Sequence, residues 1–264
     1  MNTSSIIKKR SKRSTRSFPD AAQPSNIEGR IDSETPLDSS STSFDPTDWY
    51  CCTRHKPTYR GAIHEYAFFA SPIWSVAMCR QCNTREELAA ATLSLLAASF
   101  LFWASSRYHR RKWTLHQENV AAQVDFIAIS GMIAYSLSPV YVLLLEDGWM
   151  LLAGLTVLAV VGAGLTLAEA SRSLRTMVCI AQGAFSSIPV LLVDLTDFEC
   201  ICLAVAGFSY VSGSAVYAFK TPPLLVDHFG YHELWHLMIV IAAAGTYSAN
   251  LSVLSRVQLL GIAA

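Results

Sequence analysis

Three short stretches hold residue types that do chemistry, at spacings that let them act together. Ser105-Ser106-Arg107-Tyr108-His109 sets Ser105 and His109 at i and i+4, one turn apart on one helical face. Asp125 heads a run that is otherwise apolar. His232-Glu233-Leu234-Trp235-His236 places two imidazoles at i and i+4, where one helix can offer both to a single metal ion. Three neutral imidazoles and a water make the open tetrahedral arrangement of a catalytic zinc, in which the pKa of the water falls to about 7. A carboxylate beside that water orients it and takes its proton. Asp125 suits that role, with Ser105 as its hydrogen-bonding support. Each feature also has a plainer reading: an interfacial cap for a helix-end His, helix capping or pairing with Arg110 or Arg111 for Asp125, and chance for the i, i+4 pair. The elements that carry these residues decide between the two.

The chain has 264 residues, with 20 Lys+Arg against 20 Asp+Glu; 52% are hydrophobic and only 15% charged. A soluble domain averages nearer 25% charged, so an ordinary soluble enzyme is disfavoured, and the zero net charge gives no reason to expect a nucleic-acid partner. Residues 1–60 hold 10 Lys+Arg and 7 acids, leaving 23 charges for the remaining 204 positions. The first 48 residues are rich in Ser, Thr, Asp and Pro and open on a basic run from Lys8 to Arg16. They read as a disordered cytoplasmic tail, because such a stretch buries too little apolar surface to offset its ordering entropy. Residues 49–60 read as a juxtamembrane segment.

From residue 61 to 256 the chain falls into apolar blocks at about 62–79, 88–106, 122–143, 149–168, 175–193, 198–218 and 232–255. Each has the length a helix needs to cross about 30 Å of hydrocarbon. The expected fold is all-α: a seven-transmembrane-helix bundle, with the first block the weakest because it contains His64, Glu65 and Pro72. With the N-terminus cytoplasmic, the inner flanks collect ten Lys/Arg (Arg54, Lys56, Arg60; Arg107, Arg110, Arg111, Lys112; Arg172, Arg175; Lys220) and the outer flanks three (Arg80, Arg85, Arg256). That bias gives N-inside and C-outside. In this orientation the end of the second span and the starts of the third and seventh share the cytoplasmic edge. Three His, one Asp and one Ser then fall at one membrane depth, where ionisable groups are costly and mark function.

These residues resemble the hemolysin III family and its relatives, the progestin and adiponectin receptors, within a superfamily that also contains alkaline ceramidases. The resemblance runs over about residues 58 to 250 and rests on Arg60-Gly61 with His64, Ser105 with Tyr108-His109, Asp125 with Gly131 and Pro139, and Phe229-Gly230-Tyr231-His232-Glu233-Leu234-Trp235-His236. It implies a seven-helix integral membrane protein with zinc held by His109, His232 and His236, and with Ser105 and Asp125 beside the bound water. The chain departs from many relatives in having Phe126 after the Asp and Thr246-Tyr247 late in the last span.

Two functional readings fit these residues: a zinc-dependent hydrolase of a lipid amide such as ceramide, and a receptor or membrane sensor whose zinc is structural. A third, an intramembrane metalloprotease with Glu233 as general base, is weaker. No span follows to supply a further carboxylate ligand, and Glu233 lies about 100° around the helix from His232, facing Arg or solvent. The expected partners are the bilayer and a lipid substrate or ligand, in the plasma membrane or an endomembrane, and no soluble protein partner follows from the residues. Cys51-Cys52 is a palmitoylation candidate. Cys79 and Cys82, near the outer end of the first span, could form a disulfide with Cys200 and Cys202 near the outer end of the sixth. His116 and Asp227-His228 read as surface groups.

Overall fold

The computed structural model describes residues 57–222 and 228–259. The expected tail over 1–48, most of the juxtamembrane segment, Cys51-Cys52 and Asp227 lie outside the described residues. Among the described residues the fold is all-helical: α1 (Ala62–Cys79), α2 (Arg85–Arg110), α3 (Leu115–Tyr135), α4 (Ser138–Leu144), α5 (Gly148–Leu167), α6 (Arg172–Ser187), α7 (Asp197–Phe219) and α8 (Tyr231–Leu259). A 3-10 turn, Ile188–Leu192, prolongs α6. Six segments are long and apolar enough to cross a membrane: Arg85–Arg110, Leu115–Leu144, Gly148–Leu167, Ser173–Leu192, Asp197–Phe219 and Tyr231–Leu259. α1 has 18 residues, with His64 and Glu65 in its first turn and Pro72 within it, and is not among these six.

Several helices outrun the apolar blocks because polar residues close their ends. α2, α3 and α7 each begin on a capping box, Thr84 with Glu87, Thr114 with Gln117 and Thr196 with Glu199, in which two orphan amides are satisfied reciprocally. The Leu115–Leu144 segment is broken once, between α3 and α4. Pro139 has no N–H to give the Tyr135 carbonyl, and Ser138 Oγ donates to that carbonyl instead, at 2.7 Å. The neighbouring Ser136 carbonyl accepts from Ser94 Oγ at 3.0 Å and from Asn250 Nδ2 at 2.7 Å. An unsatisfied carbonyl in hydrocarbon costs several kcal/mol, so the break also ties α2 and α8 to the α3–α4 rod.

Side-chain size is distributed as lipid, not water, demands. Val157 and Val160 on α5, Met177 and Ile180 on α6, and Phe208 and Val211 on α7 are each more than half exposed, whereas Ala90, Ala91, Ala128, Ala134, Ala242 and Ala249 are sealed. Small residues at the contacts let backbones approach closely: a Cβ at Gly245 of α8 would stand 2.6 Å from the Cys202 carbonyl of α7. α8 is the hub, packing on α1, α2, α4 and α7, while α3 packs on α2, α5 and α6. The tail of α8 is clamped by the capping glutamates. Arg256 reaches the buried Glu199 at 3.1 Å, Ser252 Oγ donates to the same carboxylate at 3.0 Å, and Gln258 donates to the buried Glu87 at 3.2 Å. The opposite end of the bundle therefore holds the end of α2 and the starts of α3 and α8.

The expected disulfide is corrected by the packing. Cys79, Cys82, Cys200 and Cys202 are all free thiols, and α1 and α7 each pack on α8.

Candidate metal centre

The end of α2 and the first turns of α8 bring three imidazoles together. His109, His232 and His236 are all buried, and each offers one nitrogen such that the three lie within 4.8 Å of one another. The Nε2 atoms of His109 and His232 are 3.2 Å apart, close to the ~3.3 Å between two nitrogens that share one tetrahedral zinc. The ring centroids of His232 and His236 are 4.6 Å apart, those of His109 and His236 5.0 Å. Helical spacing accounts for the pair on α8; the contact of α2 with α8 brings the third.

Asp125, from α3, reaches the same point. Its Oδ2 is 3.7 Å from His109 Nε2, and Ser105, one turn before His109, is its hydrogen-bonding neighbour. Asp125 does not pair with Arg110, which instead forms a 2.5 Å ion pair with Glu65. All five residues singled out in the sequence thus converge. The donor set fits a metal ion by its chemistry: neither nitrogen of His236 has a hydrogen-bond partner, nor has Asp125 Oδ1, although all are buried. Left so, each would carry an uncompensated desolvation penalty of ~1–3 kcal/mol.

Four further side chains, two of them not singled out in the sequence, surround the trio. His64 of α1 is sealed, and its ring stacks on that of His236 with centroids 4.1 Å apart and 10° between planes. Its spacing within α1 gave no hint of this, because the contact is made across helices. Phe102 flanks the same ring at 5.3 Å. Glu233, sealed between the two α8 histidines, uses both oxygens away from them: Oε1 accepts from Arg60 Nε at 2.5 Å and Oε2 from the Gly230 amide at 2.7 Å. Tyr217 of α7 sets its ring 5.5 Å from His232 and 4.6 Å from Trp235.

A strap over residues 57–61 closes the centre at the bundle's end. The Tyr59 amide donates to the His228 carbonyl at 3.2 Å, and Thr58 Oγ1 meets His228 Nδ1 at 3.1 Å, so the exposed His228 anchors the strap. Gly61 then turns into α1 with φ +76°, and a Cβ there would lie 2.8 Å from His109 Cβ and 3.1 Å from Arg110 Cγ. Glycine is required twice, for the left-handed φ and for the close approach. His116, at the start of α3, is exposed.

A buried three-imidazole cluster at the end of a helical membrane bundle, with a carboxylate and a serine beside it, is the arrangement the sequence motifs implied. The family model described as haemolysin-III related matches residues 52–247, a stretch that contains every residue of the centre, and the chain belongs to the haemolysin-III related family.

Proposed function

We propose that this chain is a multi-pass membrane hydrolase that uses zinc, held by His109, His232 and His236, to cleave a lipid amide of the ceramide type. The observation that carries the reading is the buried imidazole trio with the Asp125 carboxylate beside it. A zinc ion held there would supply Lewis acidity, lowering the pKa of a water to about 7 and polarising the substrate carbonyl. Asp125, as carboxylate, accepts a proton from the attacking water as the new C–O bond forms. It returns that proton to the amide nitrogen as the C–N bond breaks, releasing a fatty acid and the free base. Ser105 positions Asp125 by donating to its carboxyl, and the strap over 57–61 limits water entry from the end of the bundle. The surrounding apolar helices let the lipid tails stay in the bilayer.

α1 crosses the membrane with the six more apolar spans, and the N-terminus is cytoplasmic, as the ten-to-three bias of Lys/Arg supports. The centre then lies at the cytoplasmic edge of the plasma membrane or an endomembrane. The receptor or sensor reading, with a structural zinc, draws on a specific distance: 3.7 Å from His109 Nε2 also suits Asp125 as a fourth direct ligand, which would close the site to water. The protease reading loses support because both oxygens of Glu233 are engaged elsewhere. The test is fatty-acid release from ceramide by purified protein of known zinc content, with Asp125→Asn and His232→Ala alongside. Turnover lost in both variants supports the hydrolase, whereas bound zinc with no turnover in the wild type moves the assignment to the receptor or sensor.

A further inference from the structure

α2 carries a second i, i+4 pair on its other side. Trp103 and Arg107 precede Ser105 and His109 by two residues, about 200° around the helix, so they face outward where the latter face in. The Arg107 guanidinium carbon lies 5.2 Å from the centre of the Trp103 ring. Trp113, between α2 and α3, donates its indole N–H to the Arg107 carbonyl at 3.2 Å. These indoles and the outward face of α3 at Val120 and Val124 wall a groove of about 330 Å³ that Arg107 and His116 also line. Among the described residues no carboxylate pairs with Arg107, unlike Arg60, Arg110 and Arg256, each of which has one.

We propose that this groove binds the headgroup of an anionic phospholipid from the leaflet at the imidazole end of the bundle. The phosphate sits on the Arg107 fork, which matches its oxygens bidentately, with His116 beside it. The first methylenes of an acyl chain run along Val120 and Val124. Two indoles at the end of a spanning helix are placed where tryptophan sits in membranes, at headgroup level. Charge argues for an anionic lipid over a zwitterionic one, because a further cation, Lys112, lies just past the end of α2. The apolar walls argue for a lipid over free phosphate.

The full chain in detergent micelles is titrated with phosphatidylglycerol and with phosphatidylcholine of the same acyl chains, and bound lipid is counted by native mass spectrometry. Inorganic phosphate forms a third arm. The expected result is retention of phosphatidylglycerol about tenfold tighter than phosphatidylcholine, the preference lost in Arg107→Gln and partly kept in Arg107→Lys. Trp103→Ala weakens binding of both lipids. Equal retention of the two lipids by the wild-type protein overturns the proposal, and that comparison needs no variant to fold. So does displacement of the lipid by inorganic phosphate at equal concentration, which would mean a simple anion site.

Discussion

Gly61→Ala is the smallest change that should reach the metal centre without touching a ligand. The substitution acts in two ways. Alanine at φ +76° costs ~1–2 kcal/mol of backbone strain, which lowers thermal stability. The new Cβ also stands 2.8 Å from His109 Cβ, and regaining ordinary contact at 3.4 Å requires a retreat of about 0.6 Å. Ligand positions around zinc tolerate only about 0.2 Å, so His109 would be carried out of register with His232 and His236. Displacements of this kind, made from outside the ligand set, cost ~10–100-fold in metal affinity. Zinc affinity is measured by competition with a chromophoric chelator on the purified protein, and thermal unfolding is followed in parallel. Gly164→Ala is the control, since a Cβ there meets nothing within 4 Å; it should leave both readouts near wild type. A Gly61→Ala protein that folds and binds zinc with wild-type affinity would refute the argument that the strap sets the position of His109.

Other outcomes follow from the same geometry. His64→Ala removes the ring stacked on His236 and should weaken zinc binding several-fold, while His64→Phe keeps the stack and should restore most of it; equal loss in both variants would assign His64 a polar role. Glu233→Gln leaves Arg60 without its ion pair, and since the Arg60 side chain is 20% exposed the loss should fall toward the lower end of ~3–5 kcal/mol, seen as a lower unfolding temperature with zinc retained. Abolished fatty-acid release at unchanged stability would instead give Glu233 a part in the reaction. Burial, with Cys79 and Glu87 adding to it, pushes the Cys82 thiol up to about 11. In a variant keeping only that cysteine, burial and Glu87 still act, so maleimide labelling should be slow at pH 7 and rise about tenfold per pH unit over the range below its pKa. A thiol with labelling already saturated near pH 9 would contradict this burial. If the N-terminus is cytoplasmic, an impermeant reagent should reach Cys82 from the outer side.

The helical class and the convergence of the site residues were legible for different reasons. Apolar blocks long enough to span lipid announce themselves, because large side chains such as Phe208 and Ile180 can face outward only there. The i, i+4 pairs Ser105/His109 and His232/His236 fix a helical face locally, so their convergence needed only a shared depth. What stayed hidden depends on contacts between elements. The polar character of His64 weakened α1 as an apolar span, yet the reason for it is the packing of α1 on α8. The pairing of Glu233 with Arg60 reaches across 173 positions of sequence; the helical angle turned Glu233 away from His232 toward an Arg or solvent, but which Arg depended on a contact between distant segments. The break at Ser136 and Leu137 lies inside an unbroken apolar block; Pro139 was its one signal, and the compensating bonds from Ser94 and Asn250 come from other helices.

The proposed function requires that His109, His232 and His236 together hold one zinc ion. Elemental analysis of protein purified without added metal tests it most directly, comparing the wild type with His109→Ala, His232→Ala and His236→Ala. About one zinc per chain is expected in the wild type, with near-complete loss in each variant that still folds. A wild-type protein free of zinc after expression in zinc-replete medium, or variants that keep the metal, would contradict it.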